Sequence, residues 1–507
     1  MIGVEGHIRR SVARARTFWA AFLLCLATSS LWAIATPVFS VPDENAHVAK
    51  AVAQVRGDFL GRVEAGHSGR VVDLPPGYDY NHAVQCYIFV ERQSADCPAK
   101  FGDGSGARTF DTWVATYNPI YYEIVGWPSC LLSGESGVRA MRLMSAVLGS
   151  ILVALAAQAL LARRTERWAP TAVLGLLMPI PAYFIGSVNP QGVEIAAGAA
   201  FFAVTLRLLQ RRRDEGPGTP IGLWLAATLA GAFLVNARAI GPLWLLVLTA
   251  LAATVVGWRW LGRLLSQRRT WPWLGGLGVA SVFSLVWTLA TGAAAGQASV
   301  GDVPLVGASP VTGFITMLRA TDSWLVQWFG VFGWLDTILP IGAYLIPGLC
   351  LGLLVVLAAV SSRRGAWAVI TTTLVCVFVP AIVQGAQISR TGLIWQGRYG
   401  VVLYLALPMI ASLALSWWRH GGLDALSVRL TWFVAVGVGI FSVLSFAYTV
   451  RRFWLGIPSD GNPGIGTWMP PIHPVILIAA FTFVTGIAVV AVGLCGTRVA
   501  RTADVIR

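Results

Sequence analysis

The chain has 507 residues, 56% of them hydrophobic and only 12% charged, with a mean hydropathy of +0.68. Soluble domains carry about 25% charged residues, so an ordinary soluble domain or a disordered chain is excluded. The net charge of +14 is almost wholly arginine, with lysine only at Lys50 and Lys100. Without an interleaved basic and aromatic module, that charge reads as loop anchoring of a membrane protein, not nucleic-acid binding.

Apolar runs of about 18 residues or more, each long enough to cross a bilayer, recur along the whole chain. They predict an all-α polytopic membrane protein with about twelve transmembrane helices. The spans fall near 17–39, 138–162, 169–187, 190–209, 220–236, 239–257, 271–291, 338–360, 367–383, 400–418, 430–450 and 475–494. The pair 220–236 and 239–257 is joined by a very short turn, "VNARAIGP". Arginines cluster at 9–16, 163–167, 211–213, 259–269, 363–364, 419–429 and 498–507. These alternate correctly if both termini are cytoplasmic, as the positive-inside rule requires. The expected organisation is a cytoplasmic N-terminus (1–16), a first transmembrane helix (17–39), an extracytoplasmic loop subdomain (40–137), the remaining bundle (138–494) and a cytoplasmic tail (495–507). Further outer loops fall at 292–337, 384–399 and 451–474. The first run is followed by acids instead of a small-residue cleavage site, so it reads as a retained span.

The first outer loop opens with "VPDENAHVAK", residues 41–50. Ser40 and Asp43 have capping-box spacing, and Pro42 suits a first helical turn. "ENAHVAKAVAQVRG" then predicts an amphipathic helix lying on the outer membrane surface. Capping needs one acid, and here Asp43 and Glu44 are two. Asp43 and His47, at i and i+4, share a helix face. Acids at a membrane boundary are costly and are usually functional when they face a protein cavity. One of them fits a general base, its pKa raised by partial desolvation and its like-charged neighbour. The pair fits a divalent cation equally, so metal dependence stays open. Cys86 and Cys97, in the same loop, are disulfide candidates in an oxidising exterior, although spacing alone does not set the pairing. Cys25, Cys350, Cys376 and Cys495 lie in or beside spans and read as small buried apolar side chains.

"TYNPIYYEIVGW" (116–127) leads into the second span, either as an aromatic belt or as a stacking surface for a sugar. In "SVNPQGVEIA" (187–196), Asn189 and Pro190 suit a helix start, with the acid Glu194 close behind. "VNARAIGP" and "QISRTGLIWQGRYG" (387–400) put Arg238, Arg390 and Arg398 on the outer side, against the positive-inside trend. Such arginines need anionic partners, whether a lipid headgroup or a lipid-linked phosphate, which the planar guanidinium binds in bidentate fashion. "QWFGVFGWLDTILP" (327–340), with Asp336, reads as interfacial anchoring.

"PDENAH", "YNPIYY", "VNPQGVE", "FGWLDTILP" and "WQGRYG", in this order between these spans, resemble a bacterial family of predicted multi-pass membrane proteins of unknown function. The resemblance covers about residues 15 to 450. That family in turn looks like the GT-C superfamily of integral-membrane glycosyltransferases, which carry an acidic pair in the first outer loop and take a polyprenyl-phosphate-linked sugar as donor. The resemblance implies inverting transfer at the outer leaflet of a bacterial plasma membrane, onto an envelope glycan, lipid or protein. Asp43 would be the general base, Glu44 its partner or a metal ligand, and His47 would orient one of them. Arg238, Arg390 and Arg398 would hold the carrier phosphate. Tyr117, Asn118 and Tyr121 would line the sugar site, with Asn189 and Gln396 also in contact with substrate. Some relatives have an aspartate where this chain has Gln191, so any role of that acid does not carry over. Two other classes compete: a transporter or flippase of a lipid-linked glycan, and a non-catalytic envelope assembly factor. A transporter would gather its polar residues near the bilayer midplane, an enzyme at one face.

Overall fold

The structure, a computed structural model, describes residues 2–67, 69–79, 86–97, 101–102, 108–162, 166–210, 221–293, 303–418, 423–458 and 461–506, without the side chains of 2–12 and 499–506. The arginines expected to anchor loops at 163–164, 211–213 and 419 lie outside these residues.

Among the described residues, nineteen α-helices follow in order: α1 (Ile2–Ala35), α2 (Glu44–Gln54), α3 (Pro119–Gly126), α4 (Gly134–Leu160), α5 (Ala169–Ala172), α6 (Pro179–Ile185), α7 (Pro190–Leu209), α8 (Ile221–Ala237), α9 (Gly241–Val256), α10 (Trp258–Leu265), α11 (Trp271–Thr291), α12 (Pro310–Arg319), α13 (Thr321–Gly330), α14 (Leu345–Ser361), α15 (Arg363–Thr391), α16 (Val401–Tyr404), α17 (Ala406–Leu415), α18 (Leu423–Leu455) and α19 (Pro474–Ile506). The protein is thus a helical, multi-pass membrane protein. Each of the twelve apolar runs falls on helix, but not every run is a full span. Among the described residues, nine helices are long and apolar enough to cross a bilayer, or ten if α9 and α10, bent by 118°, count as one. α8, at 17 residues, falls short. The run at 169–187 is broken into α5, a 3-10 segment (Val173–Leu177) and α6, because Pro170, Pro179 and Pro181 interrupt the backbone ladder.

α7 is buried along its whole length, between α4 on one side and α8 and α9 on the other. α1 packs on α4 and α19, and α18 on α19. Apolar side chains on the outer helices, such as Val279, Leu289, Leu349 and Phe483, are 65–72% exposed and face the lipid.

The first loop is a packed subdomain. β1 (Arg70–Asp73) pairs antiparallel with β2 (Thr109–Thr112), with Arg70 opposite Thr112. Both strands and α3 pack on α2. Every residue of α2 is buried, so it is an interior helix and not the membrane-surface helix expected from its amphipathic pattern. Its polar groups are absorbed by protein: Gln54 donates to Pro119 O at 2.8 Å and to Glu123 at 2.9 Å, and Lys50 donates to Phe59 O. Cys86 and Cys97 are disulfide-bonded, with Cα atoms 6.5 Å apart. That loop is clamped to the bundle by buried Arg452, which donates to Tyr87 O (2.5 Å), Gln93 O (2.8 Å) and Asp336 (3.3 Å). Asp336 also accepts from Phe89 N at 2.9 Å, so it holds the first loop instead of merely marking an interface. It sits in the turn between β3 (Val331–Phe332) and β4 (Thr337–Ile338). At Gly333 (φ 60°) in that turn, a Cβ would lie 2.0 Å from the Asp336 carboxylate, so only glycine fits.

Candidate functional site

After α1 the chain turns sharply and re-enters helix at α2. Asp43 occupies the N-cap position, but its side chain makes no capping bond, and its backbone is left-handed (φ 65°). The expected capping box does not form, since the Ser40 hydroxyl donates back to Pro37 O at 2.8 Å. A non-glycine residue held at positive φ stores strain, a cost met mainly at functional sites. Here the strained turn sends the carboxylates of Asp43 and Glu44 to different partners.

Glu44 is fully buried. Its Oε1 accepts from Arg142 Nε (2.7 Å) and Val188 N (3.0 Å), and its Oε2 from Arg142 Nη2 (2.5 Å) and Phe39 N (2.9 Å). Arg142 in turn donates to Ala33 O, Thr36 O and Pro37 O at 2.7–3.0 Å. The pair staples α1, α2, α4 and the approach to α7, with every carboxylate lone pair in use. The Glu44 charge is therefore met by Arg142, and the two acids turn to different arginines instead of converging on a shared cation. Among the described residues, the one cluster of three possible metal ligands is Cys86, Asp96 and Cys97, whose two sulfurs are bonded to each other.

The Asp43 side chain stays 27% accessible. Its Oδ2 accepts from Arg398 Nη2 at 2.7 Å. Arg398 stands in the turn Gly397–Gly400 and is positioned by three contacts: Nε donates to Gln396, Gly397 N donates to Gln327 at 2.7 Å, and the guanidinium lies 5.7 Å from the Phe184 ring. Arg238, between α8 and α9, lies 4.4 Å over the Tyr399 ring, and Arg398 lies 5.1 Å from the same ring. One aromatic ring thus gathers two guanidinium groups. Arg238 also has Tyr117 beside it and lies 3.5 Å from buried Glu194, which accepts from Trp244 Nε1 at 3.1 Å. The Arg238–Glu194 contact is an ion pair without a hydrogen bond.

Burial alone would raise the Asp43 carboxyl, but the Arg398 guanidinium beside it, with Arg238 farther off, outweighs it and holds it below the usual carboxylate range. The raised pKa expected from a neighbouring acid is overturned, because that acid is neutralised by Arg142. His47 packs against the rings of Tyr117 and Tyr122, and its Nδ1 is 2.8 Å from the Tyr122 hydroxyl. Burial pushes it down to about 3, so it is neutral at physiological pH.

Of the residues singled out in sequence, Asp43, His47, Tyr117, Arg238, Gln396 and Arg398 come together. Three others support them from outside the cluster. Asn118 caps α3 and donates to Asn236 at 2.7 Å, Asn189 caps α7 and donates to Pro42 O at 3.0 Å, and the Tyr121 hydroxyl is 3.1 Å from Ser145 Oγ. Arg390 is exposed in the last turn of α15 and makes no described contact with the cluster. Tyr122, Phe184, Tyr399 and Arg142 were not foreseen. Arg142 carried a readable signal, an ionised side chain inside an apolar run, which marks a buried partner.

Seven chains of solved structures match this one. They include ArnT from Cupriavidus metallidurans bound to undecaprenyl phosphate, at 14% identity and a TM-score of 0.44 over 94% of this chain and 77% of that one. ArnT from the same organism in the apo state matches at 13% identity and a TM-score of 0.40 over 96% and 78%. No curated protein sequence matches. The family described as "Predicted membrane protein (DUF2142)" matches residues 26–407, and the chain belongs to it.

Proposed function

We propose that this protein is an integral-membrane glycosyltransferase that takes a sugar from a polyprenyl-phosphate carrier at the outer leaflet of a bacterial plasma membrane, for envelope glycan assembly. In this reading both termini are cytoplasmic. The observation that carries it is a partly open carboxylate, Asp43, bonded at 2.7 Å to one buried arginine beside a second. All of these residues sit at helix ends on one side of the bundle: after α1, before α3, between α8 and α9, and before α16. That placement suits chemistry at a membrane face better than transport through the midplane.

Asp43 removes the proton from an acceptor hydroxyl as its oxygen bonds to the sugar's anomeric carbon. The bond from that carbon to the carrier phosphate breaks, and polyprenyl phosphate leaves with the electron pair. Arg398 and Arg238 stabilise the charge that develops on it. In the resting site Arg398 keeps Asp43 a weak base. A donor phosphate competes for that guanidinium, so Asp43 gains basicity only once the donor is in place. Tyr117 and Tyr399 offer stacking faces, and neutral His47 a hydrogen-bonding group. Glu44 is scaffold in this reading, and Arg390 is not part of the phosphate site.

The test uses protein in nanodiscs with a panel of polyprenyl-phosphate sugars and a crude envelope acceptor, following release of free polyprenyl phosphate. Release by wild type and not by Asp43→Asn is the expected result. Equal release by both overturns the assignment of the base.

A further inference from the structure

A second feature lies at the end of α9 farthest from the Asp43 cluster. α9 starts three residues after Arg238, runs about 24 Å over its 16 residues and ends at Gly257. There the chain bends by 118° into α10, with Gly257 at φ 132°, a conformation open to glycine. It then returns as α11, whose Trp287 Nε1 donates to Thr116 O at 2.9 Å, beside Tyr117. α10 therefore joins two antiparallel apolar helices and lies along the face opposite Asp43. Arg364 holds the corner by donating to Val255 O and Val256 O at 3.1–3.2 Å. Thr270 and Trp271 hold the other end, donating to Leu264 O at 2.8 Å and Leu265 O at 3.1 Å.

α10 reads "WRWLGRLL", and none of its residues is buried. Arg259 and Arg263, at i and i+4, share one face, and Trp260, Leu261, Leu264 and Leu265 share the other. Leu261 and Leu264 rest partly on the bundle, whereas Trp258, Trp260 and Leu265 are 38–57% exposed. Eight residues are too few to hold a helix on propensity alone, so the exposed face needs a partner. A short amphipathic helix between two spans meets one there, the headgroup layer of the bilayer. Charge then selects the lipid. Arg268 and Arg269, also exposed, follow α10, and no carboxylate among the described residues pairs with any of the four arginines. No acid occurs between Glu215 and Asp302, and the stretch 211–215 sets three arginines against two acids, so the balance stays basic. A zwitterionic headgroup offers these arginines no net charge. An anionic layer attracts each of them by about fivefold in partition.

We infer that α10 and the turn after it form a docking surface for anionic phospholipid headgroups in the leaflet opposite Asp43, with Trp258, Trp260 and Leu265 among the acyl chains and Arg259, Arg263, Arg268 and Arg269 at the phosphates. The surface is independent of the glycosyltransferase reading.

The experiment places the full-length protein in nanodiscs of dioleoyl phosphatidylcholine, alone or mixed equally with dioleoyl phosphatidylglycerol. Hydrogen–deuterium exchange of the amides of α10 is the readout, with those of buried α7 as the control for folding. Protection of α10 is expected to be at least about tenfold greater in the mixed bilayer and to lose that gain in high salt. Arg259→Gln with Arg263→Gln should remove most of the gain and leave α7 as protected as in wild type. If that variant does not fold, Arg268→Gln with Arg269→Gln tests the same charge. Trp258→Ser with Leu265→Ser should weaken protection in both bilayers. Equal protection of wild-type α10 in the two bilayers, or a gain that survives loss of the arginines, overturns the proposal. Protection in detergent that rises with protein concentration overturns it too, since the surface would then belong to a second copy of the chain.

Discussion

Glu44 has both oxygens filled by Arg142 and two backbone N–H groups and no accessible surface, whereas Asp43, one residue earlier, keeps 27% accessibility and a hydrogen bond to one arginine. The difference comes from one left-handed residue, which turns two neighbouring carboxylates toward different parts of the bundle. A buried ion pair with all its hydrogen bonds satisfied fixes helices in place. A partly open one, beside a second arginine that lacks a full set of partners, is what a charged substrate would meet.

The comparison breaks first at Glu44. Glu44→Ala leaves Arg142 buried without its carboxylate and is expected to cost about 3–5 kcal/mol, read as a collapse in Tm or in recovery of folded protein. Wild-type stability in that variant would mean that the pair is not the staple described. Asp43→Asn should show the reverse pattern. Asparagine tolerates the left-handed backbone, so the Tm should barely move, while transfer falls about 10²–10⁴-fold. Arg398→Gln sharpens the same contrast from the other partner. Donor affinity should drop at least about tenfold. Loss of the guanidinium lets the Asp43 pKa rise, so the acid limb of the pH–rate profile should move to higher pH. An unmoved limb would separate Asp43 from the titration that limits the rate.

A smaller effect concerns His47. Its folded pKa, about 3, lies below its ordinary 6.5, so the unfolded chain takes up the proton first. Stability is then present in full above pH 6.5 and falls as pH drops toward 3, by up to about 1.4 kcal/mol per pH unit. His47→Gln should flatten that slope in Tm measured from pH 7 to 4. An unchanged slope would assign the acid sensitivity to other groups. Smallest of all, Tyr121→Phe should cost about 1 kcal/mol of stability through its Ser145 bond and leave donor affinity intact, because it braces the site from behind.

Much of the site was legible because its motifs sit where apolar runs end. Asp43, Arg238 and Arg398 stood out as charges on the wrong side of a positive-inside pattern, or as an acid beyond what capping needs. The partition between Asp43 and Glu44 was not legible, since nothing local forces Asp43 into positive φ. That conformation is imposed by Arg142 and Arg398, 98 and 355 residues away from the acids they hold. The surface-helix reading of α2 failed for the same reason. Its period is amphipathic, but its polar side chains find buried partners on α3, on α4 and in the loop at Phe59.

The sequence by itself determined the class of the molecule, the places where its helices run and the short list of charged residues at their ends, because bilayer thickness and the cost of bare backbone in lipid act on local composition. Tertiary structure alone decided which acid is scaffold and which is exposed, that Tyr399 gathers two arginines while Arg390 stays apart, and that the chain bends by 118° between α9 and α10. Those outcomes depend on contacts between segments far apart in the chain, where hydrogen-bond geometry and burial, not composition, set the energy.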